Sequence, residues 1–315
     1  MDEMKIRRIS IEERESKMCA KDICGTGYGD DVRGLLASLP KTGAGVHLRA
    51  AVDAIVRSTR NRAVVIAGMG AHVVKCGLSP AIIDLIDRGV ISCIAMNGAA
   101  AIHDSEMGLF GKTSEDVIAG LQNGTYGMTA ETADFLNSTA QEAAAKDISV
   151  GHLLGERLSE ASYSSISILA AARRKGIPVT LHIAIGTDFI HIHDSADGAA
   201  WGKCSMADFR VLNERMRDAV NGGVLINMGS AVILPEVYLK CFAILRNQGV
   251  SFADFTSINL DFMRQYRAME QVVNRVTALG GKGISLTGHH EIMIPLLAGM
   301  VVSMLADEGD SSSAD

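Results

Sequence analysis

Short apolar runs alternate with amphipathic stretches along most of this chain. RAVVIAG (62–68), VISCIAMNG (90–98), IPVTLHIAIG (177–186), GGVLINMGS (222–230), FADFTSINLD (252–261) and GISLTG (283–288) carry few charges and many β-branched residues. Runs of that length and composition predict strands. SPAIIDLIDRG (79–89) predicts a helix, with Ser79 as N-cap, Pro80 at the first helical position and Gly89 as the stop. SISILAAARRKG (165–176), RVLNERMRDAV (210–220), PEVYLKCFAILRNQG (235–249) and IPLLAGMVVSML (294–305) read as further helices between or after the strands. Strands separated by helices predict an α/β fold: a doubly wound, mostly parallel, Rossmann-like sheet with helices on both faces. No repeat or linker is evident, so residues 46–306 form a single expected domain. Residues 1–45 are expected to be an N-terminal arm or helical extension, and the acidic, serine-rich tail 307–315 is expected to be disordered.

Polar residues gather where these strands end. Open parallel sheets bind ligands at the carboxyl ends of their strands. Of nine histidines, His72, His103, His182, His191, His193, His289 and His290 map to that side, and only His47 and His152 do not. Asn97, Asp104, Asp188, Ser230, Glu236, Thr256, Asp261 and Glu291 are read onto the same edge, with Gly70, Gly98 and Gly229. Glycine there lets backbone approach a ligand closely. The loop GMGAHVVKCG lacks the G-x-G-x-x-G dinucleotide fingerprint. GKTSEDV (111–117) has the end of a phosphate loop without its beginning, and reads as a helix start capped by Thr113 or Ser114.

Composition narrows the class. A net charge of −6, with no basic run interleaved with aromatics, argues against a nucleic-acid partner. No uncharged apolar run reaches membrane-spanning length, and the charged N-terminus has no apolar signal core. Six scattered cysteines without a paired zinc-ribbon spacing read as reduced, mostly buried thiols, so the expected location is cytoplasmic.

The order VVIAGMGAHVVKCGLSPAIIDLIDRGVISCIAMNGAAAIHD, IPVTLHIAIGTDF, GGVLINMGSAVILPEVYLKCFAILRNQGVSFADFTSINLDF and HHEIMIPLLAG resembles the deoxyhypusine synthase family over about residues 30 to 305. That resemblance implies a Rossmann-like NAD-binding fold and a homodimer or homotetramer with sites between paired subunits. It implies cofactor contacts at Gly70, Ala71 and His72, at Asn97 and Gly98, and at His103 or Asp104 near a ribose-binding acid. It further implies contacts at Gly229 and Ser230, at Thr256 and Asp261, and at His289, where the family has an aspartate. The family's covalent lysine has no counterpart: Arg275 stands closest by spacing and Lys282 is shifted. Pro235-Glu236 replaces its His-His pair, and Asp188 matches an acid of its substrate site.

Three functions follow as expectations. The first is an NAD-dependent transferase or oxidoreductase acting on a small amine, with His182, His191 or His193 as base and Asp188 or Glu236 holding the amine. The second is a metal-dependent hydrolase or lyase. If a metal is bound, His191 and His193 would share one strand face and His290 and Glu291 would complete the set. The third is a non-catalytic nucleotide-binding protein.

Overall fold

Residues 64–69 show why the apolar runs become central strands. Val65, Ala67 and Met69 point into one hydrophobic core and Ile66 into a second on the opposite face. A strand buried on both faces has no need of polar alternation, which is the signature of a parallel sheet covered by helices. The computed structural model describes residues 32–306. It contains six strands, β1 (Val65–Met69), β2 (Cys93–Asn97), β3 (Val179–His182), β4 (Asn221–Met228), β5 (Asp254–Asp261) and β6 (Lys282–Thr287). All pair in parallel in the order β3-β2-β1-β4-β5-β6. The order reverses between β1 and β4, the topological switch point of a doubly wound sheet.

Helices α1 (Val32–Ser38) and α2 (Gly43–Arg60) precede β1, and α3 (His72–Lys75) and α4 (Ser79–Asp87) follow it. Between β2 and β3 the chain makes a long helical excursion. It comprises α5 (Gly98–Phe110), α6 (Val117–Asn123), α7 (Ala130–Lys146), α8 (Val150–Ser159) and α9 (Ile168–Lys175). Helix α10 (Gly198–Ala219) leads into β4 and α11 (Ile233–Asn247) into β5. After β5 come α12 (Tyr266–Ala268), a π-helical turn (Met269–Asn274) and α13 (Arg275–Ala278). Helix α14 (His290–Ala306) ends the described chain and packs on α1, α2 and α4. Among the described residues, no helix is long and apolar enough to cross a membrane.

Two local expectations change. Helix α4 is capped by Leu78, so Ser79 is its first helical residue and is buried, while Pro80 does occupy the first turn. Helix α6 is capped by Asp116, whose side chain accepts from the Ala119 N–H at 3.0 Å. Ser114 takes φ +68°, leaving Thr113 free for other contacts. The expected disordered tail and the pair Cys19 and Cys24 lie outside the described residues.

Close packing at the sheet centre fixes two glycines. A β-carbon on Gly68 would fall 1.6 Å from the Tyr238 hydroxyl oxygen, so the buried Tyr238 ring fits only against glycine. A β-carbon on Gly70 would fall 2.6 Å from the Gly229 carbonyl oxygen. The Gly70 N–H donates to the Met228 carbonyl at 3.0 Å, so the β1 and β4 loops cross in direct backbone contact.

Candidate active site

The carboxyl ends of β1, β2 and β3 border a cavity of about 460 Å³. Lys75 reaches it from α3, Ala99, His103 and Glu106 from α5, and Thr187, Asp188 and Phe189 from the loop after β3. The segment after α5 closes it with Lys112, Thr113 and Glu115. Helix α5 supplies His103 and Glu106 on one face because residues three apart lie side by side.

His103, Thr113 and Glu106 form a relay in this wall. The Thr113 hydroxyl donates to the Glu106 carboxylate, which also accepts from the Thr132 hydroxyl at 3.1 Å. Nδ1 of His103 lies 2.6 Å from the Thr113 oxygen. With the Thr113 proton committed to Glu106, the bond requires Nδ1 of His103 to be the donor. Nε2 then keeps its lone pair. Burial, and secondarily the charge of Lys75, push the His103 pKa down to about 4, so the ring is neutral near pH 7.

Asp188 faces the same cavity beside the start of α5, where only a glycine fits. A β-carbon on Gly98 would lie 2.0 Å from Oδ2 of Asp188. That oxygen is buried without a hydrogen-bond partner. Burial raises the Asp188 carboxyl to about 6, against a lowering bond from Thr187. Such an acid gains most from a cation placed next to it.

The neighbouring histidines serve the backbone. His191 and His193 were expected on a strand, yet residues 189–192 form a 3-10 turn, so the two rings do not share a strand face. Nδ1 of His191 accepts from the N–H groups of Gly186 at 3.2 Å and Asp188 at 3.4 Å, and Asp188 caps the turn in return. His193 bonds the Gly127 carbonyl at 2.8 Å. Beneath the turn, Asn137 donates to the Ile190 carbonyl at 2.9 Å and accepts from the Trp201 indole at 2.8 Å. His182 is buried on the other side of β3, bonded to Thr180 at 3.0 Å, beside a groove between α10 and α11.

Other expected site residues are engaged by the fold. Asp104 is fully buried and accepts from Ser167 and from the Ile168 and Leu169 N–H groups, which caps α9. Ser230 accepts from the Leu234 N–H at 3.2 Å and opens α11. Asn97 caps α5 through the Ala100 N–H at 2.9 Å. Glu236 lies on α11 in ion pairs with Lys240 and Arg267 and accepts from Gln271 at 3.0 Å. Thr256 does not reach the carboxyl edge. It sits near the start of β5, opposite Lys282 at the start of β6, and both border a groove with α2. The expected and actual positions of Thr256 differ because FADFTSINLD is a whole strand, with only Asp261 at its carboxyl end.

A second cluster occupies the edge over β1, β4 and β5. His72, exposed on α3, lies among the rings of Phe262 (5.8 Å between centroids) and His290 (5.2 Å). Nε2 of His290 bonds the Leu260 carbonyl at 3.3 Å, and Asp261 accepts from its neighbour's N–H, that of Phe262, at 2.8 Å. Gly229, at φ +68°, lies directly under His290, where a β-carbon would be 2.9 Å from the ring. Phe262 also lies against the His290 ring (6.1 Å between centroids). Val232, Phe262 and Ile292 are exposed, and Ala71, just ahead of α3, is half-buried. His289 is exposed, with Nδ1 3.9 Å from Glu291. The seven histidines thus follow the strand ends, as read, but they occupy separate sites rather than one cleft. The proposed metal set of His191, His193, His290 and Glu291 is not assembled. Among the described residues, the group whose ligand atoms converge is His72, Cys76 and Glu291.

The sequence matches no family model and no curated protein. Solved structures share the fold. The chain is similar to a candidate LOR/SDH protein from Methanococcus maripaludis S2, at 16% identity over 84% of this chain and 71% of that one (TM-score 0.51). It is similar to AgrE in ternary complex with ornithine and NAD+, at 13% identity over 83% of this chain (TM-score 0.53), and spans only 33% of AgrE. A candidate deoxyhypusine synthase from Entamoeba histolytica is covered over 98% of its length by 90% of this chain, at 12% identity (TM-score 0.50). Together these define a Rossmann-like α/β fold.

Proposed function

We propose that this chain is an NAD-binding enzyme acting on a small amine, with His103 as proton acceptor and Asp188 as the ammonium-binding acid. The observation that carries the reading is the His103–Thr113–Glu106 relay, which lines the same cavity as Asp188, an acid whose Oδ2 is buried without a partner. In the proton transfer, Nε2 of His103 accepts the N–H proton of the bound amine, since the hydrogen on the adjacent carbon has to leave as hydride. The resulting imidazolium keeps its Nδ1 proton on Thr113, with the Glu106 carboxylate close enough to offset the new charge. Glu115 adds negative potential, while Lys75 and Lys112 favour a substrate that also carries a carboxylate, as an amino acid does.

The edge over the switch point fits a dinucleotide. Beside the glycine-only backbone at Gly70 and Gly229, exposed Val232, Phe262 and Ile292 and half-buried Ala71 offer an apolar lining for flat rings. Those residues would hold NAD, which supplies a hydride acceptor when bound. That AgrE is seen with ornithine and NAD+ supports the same pairing of cofactor and substrate class.

The test is calorimetric titration with NAD+, followed by a screen of diamines and basic amino acids with cofactor reduction read by absorbance. Saturable NAD+ binding and turnover of an amine that is lost in Asp188→Asn are expected. No NAD+ binding would end the cofactor assignment. Turnover indifferent to both Asp188→Asn and His103→Gln would end the assignment of the cavity.

A further inference from the structure

We infer that His72, Cys76 and Glu291 form a binding site for a zinc-class divalent metal on the rim of the sheet's carboxyl edge. This goes beyond the proposed redox reading and stands whether or not a nucleotide binds.

The sequence sets up the pair. His72 and Cys76 are four residues apart, and the Cys76 N–H donates to the His72 carbonyl at 3.0 Å, so one helical turn places both side chains on the same face. This is the spacing by which a helix presents two ligands to one ion. The third ligand comes from the first turn of α14, brought over α3 by the packing of those two helices. One ligand atom from each residue lies within 4.8 Å of the other two. Tetrahedral zinc with bonds of about 2.0–2.3 Å needs its ligands roughly 3.3–3.8 Å apart. Side-chain rotations of about 1 Å close the set without backbone movement, since His72 and Glu291 are exposed and Cys76 is half-buried.

An independent observation points to the same place. The His290 ring is fully buried and stands edge-on to His72, and its Nδ1 has no hydrogen-bond partner. A buried ring nitrogen left without a partner is costly.

The donor set selects the metal. Thiolate, imidazole and carboxylate suit zinc and its neighbours and disfavour calcium and magnesium, which take oxygen ligands. Three protein ligands leave a fourth position, which water or a substrate heteroatom would fill, as in open zinc sites. The other described cysteines, Cys93, Cys204 and Cys241, are buried and outside the cluster.

The experiment uses the full chain carrying Cys19→Ser and Cys24→Ser, which leaves Cys76 as the accessible thiol. Cobalt(II) is titrated in the absence of nucleotide, and zinc affinity is measured by competition with a chromophoric chelator. A stoichiometric cobalt complex with a thiolate-to-metal charge-transfer band and tetrahedral visible bands is expected. Cys76→Ser should abolish the charge-transfer band, and His72→Gln and Glu291→Gln should each weaken zinc by at least about tenfold. Circular dichroism checks that each variant folds. If Cys76→Ser does not fold, the two exposed-residue variants read the same site. Persistence of the band in Cys76→Ser, unchanged zinc affinity in both His72→Gln and Glu291→Gln, or no stoichiometric cobalt complex would each overturn the site. NAD+ binding is measured on the same samples, so loss of one property is distinguishable from loss of the other.

Discussion

Nδ1 of His103 rests 2.6 Å from the hydroxyl of Thr113, and that contact decides which nitrogen of the ring is basic. Nitrogen-15 NMR of the histidines should therefore find His103 as the Nδ1–H tautomer, unprotonated above about pH 5 because burial and Lys75 hold its pKa near 4. Thr113→Val removes the link to Glu106. It should mix the tautomers and lower amine turnover by about 10- to 100-fold, with little change in NAD+ affinity. A spectrum unchanged by Thr113→Val would remove Thr113 from the relay.

Lys282 is exposed at the amino end of β6 and faces Thr256 and α2, with the whole strand between it and the carboxyl edge. Six residues of strand span about 20 Å, beyond the reach of a lysine side chain. Lys282→Ala should leave NAD+ binding and turnover unaltered and change stability by less than about 0.5 kcal/mol. A complete loss of turnover in a folded variant would return a covalent lysine to consideration.

Gly70 and Gly202 should respond oppositely to alanine. At Gly70 the new methyl meets the Gly229 carbonyl at 2.6 Å, and both loops are backbone that cannot move independently. Gly70→Ala is expected to cost about 2 kcal/mol or more in denaturant unfolding. Gly202 lies inside α10 with open space around it, so Gly202→Ala should stabilise by about 0.5–1 kcal/mol. Equal effects would mean that the loop crossing is looser than described.

Asp208 gives a pH dependence with a definite sign. Its Oδ2 accepts from the Leu181 N–H at 2.8 Å, Oδ1 has no partner, and burial raises the carboxyl to about 7. Buried Cys93 and Cys204, the ionisable neighbours, are held neutral as thiols by the same burial. The folded pKa exceeds the unfolded value near 4, so the folded state binds the extra proton between them. The stability contributed is full below about pH 4 and is lost as pH rises through about 7. The melting temperature of Asp208→Asn relative to wild type should therefore climb from pH 4 to pH 7. A flat difference across that window would show that Asp208 ionises normally in the fold.

Much of this fold was legible in the chain because burial on both faces leaves a strand almost uniformly apolar. Each of the six runs became a strand of the parallel sheet, and the histidines did follow strand ends. What periodicity could not show was local geometry inside the loops. His-Ile-His alternates like a strand, but Asp188 and His191 cap each other and wind the segment into a 3-10 turn. GKTSEDV resembles a helix start, but Asp116 wins the cap and Thr113 turns inward to Glu106. Composition marks Cys76 only as one more reduced thiol; its spacing of four from His72 is the signal in the sequence. Glu291 could be paired with it only once α14 was known to lie across α3.

The network under the loop after β3 gives the protein a built-in optical probe. Trp201 is the one indole in the chain, and Asn137 ties it to the segment that carries Asp188, with the His191 ring edge-on at 6.3 Å. Any occupant of the cavity that shifts this segment must alter the surroundings of a single fluorophore. Its emission can follow ligand capture in real time without a label or a known reaction.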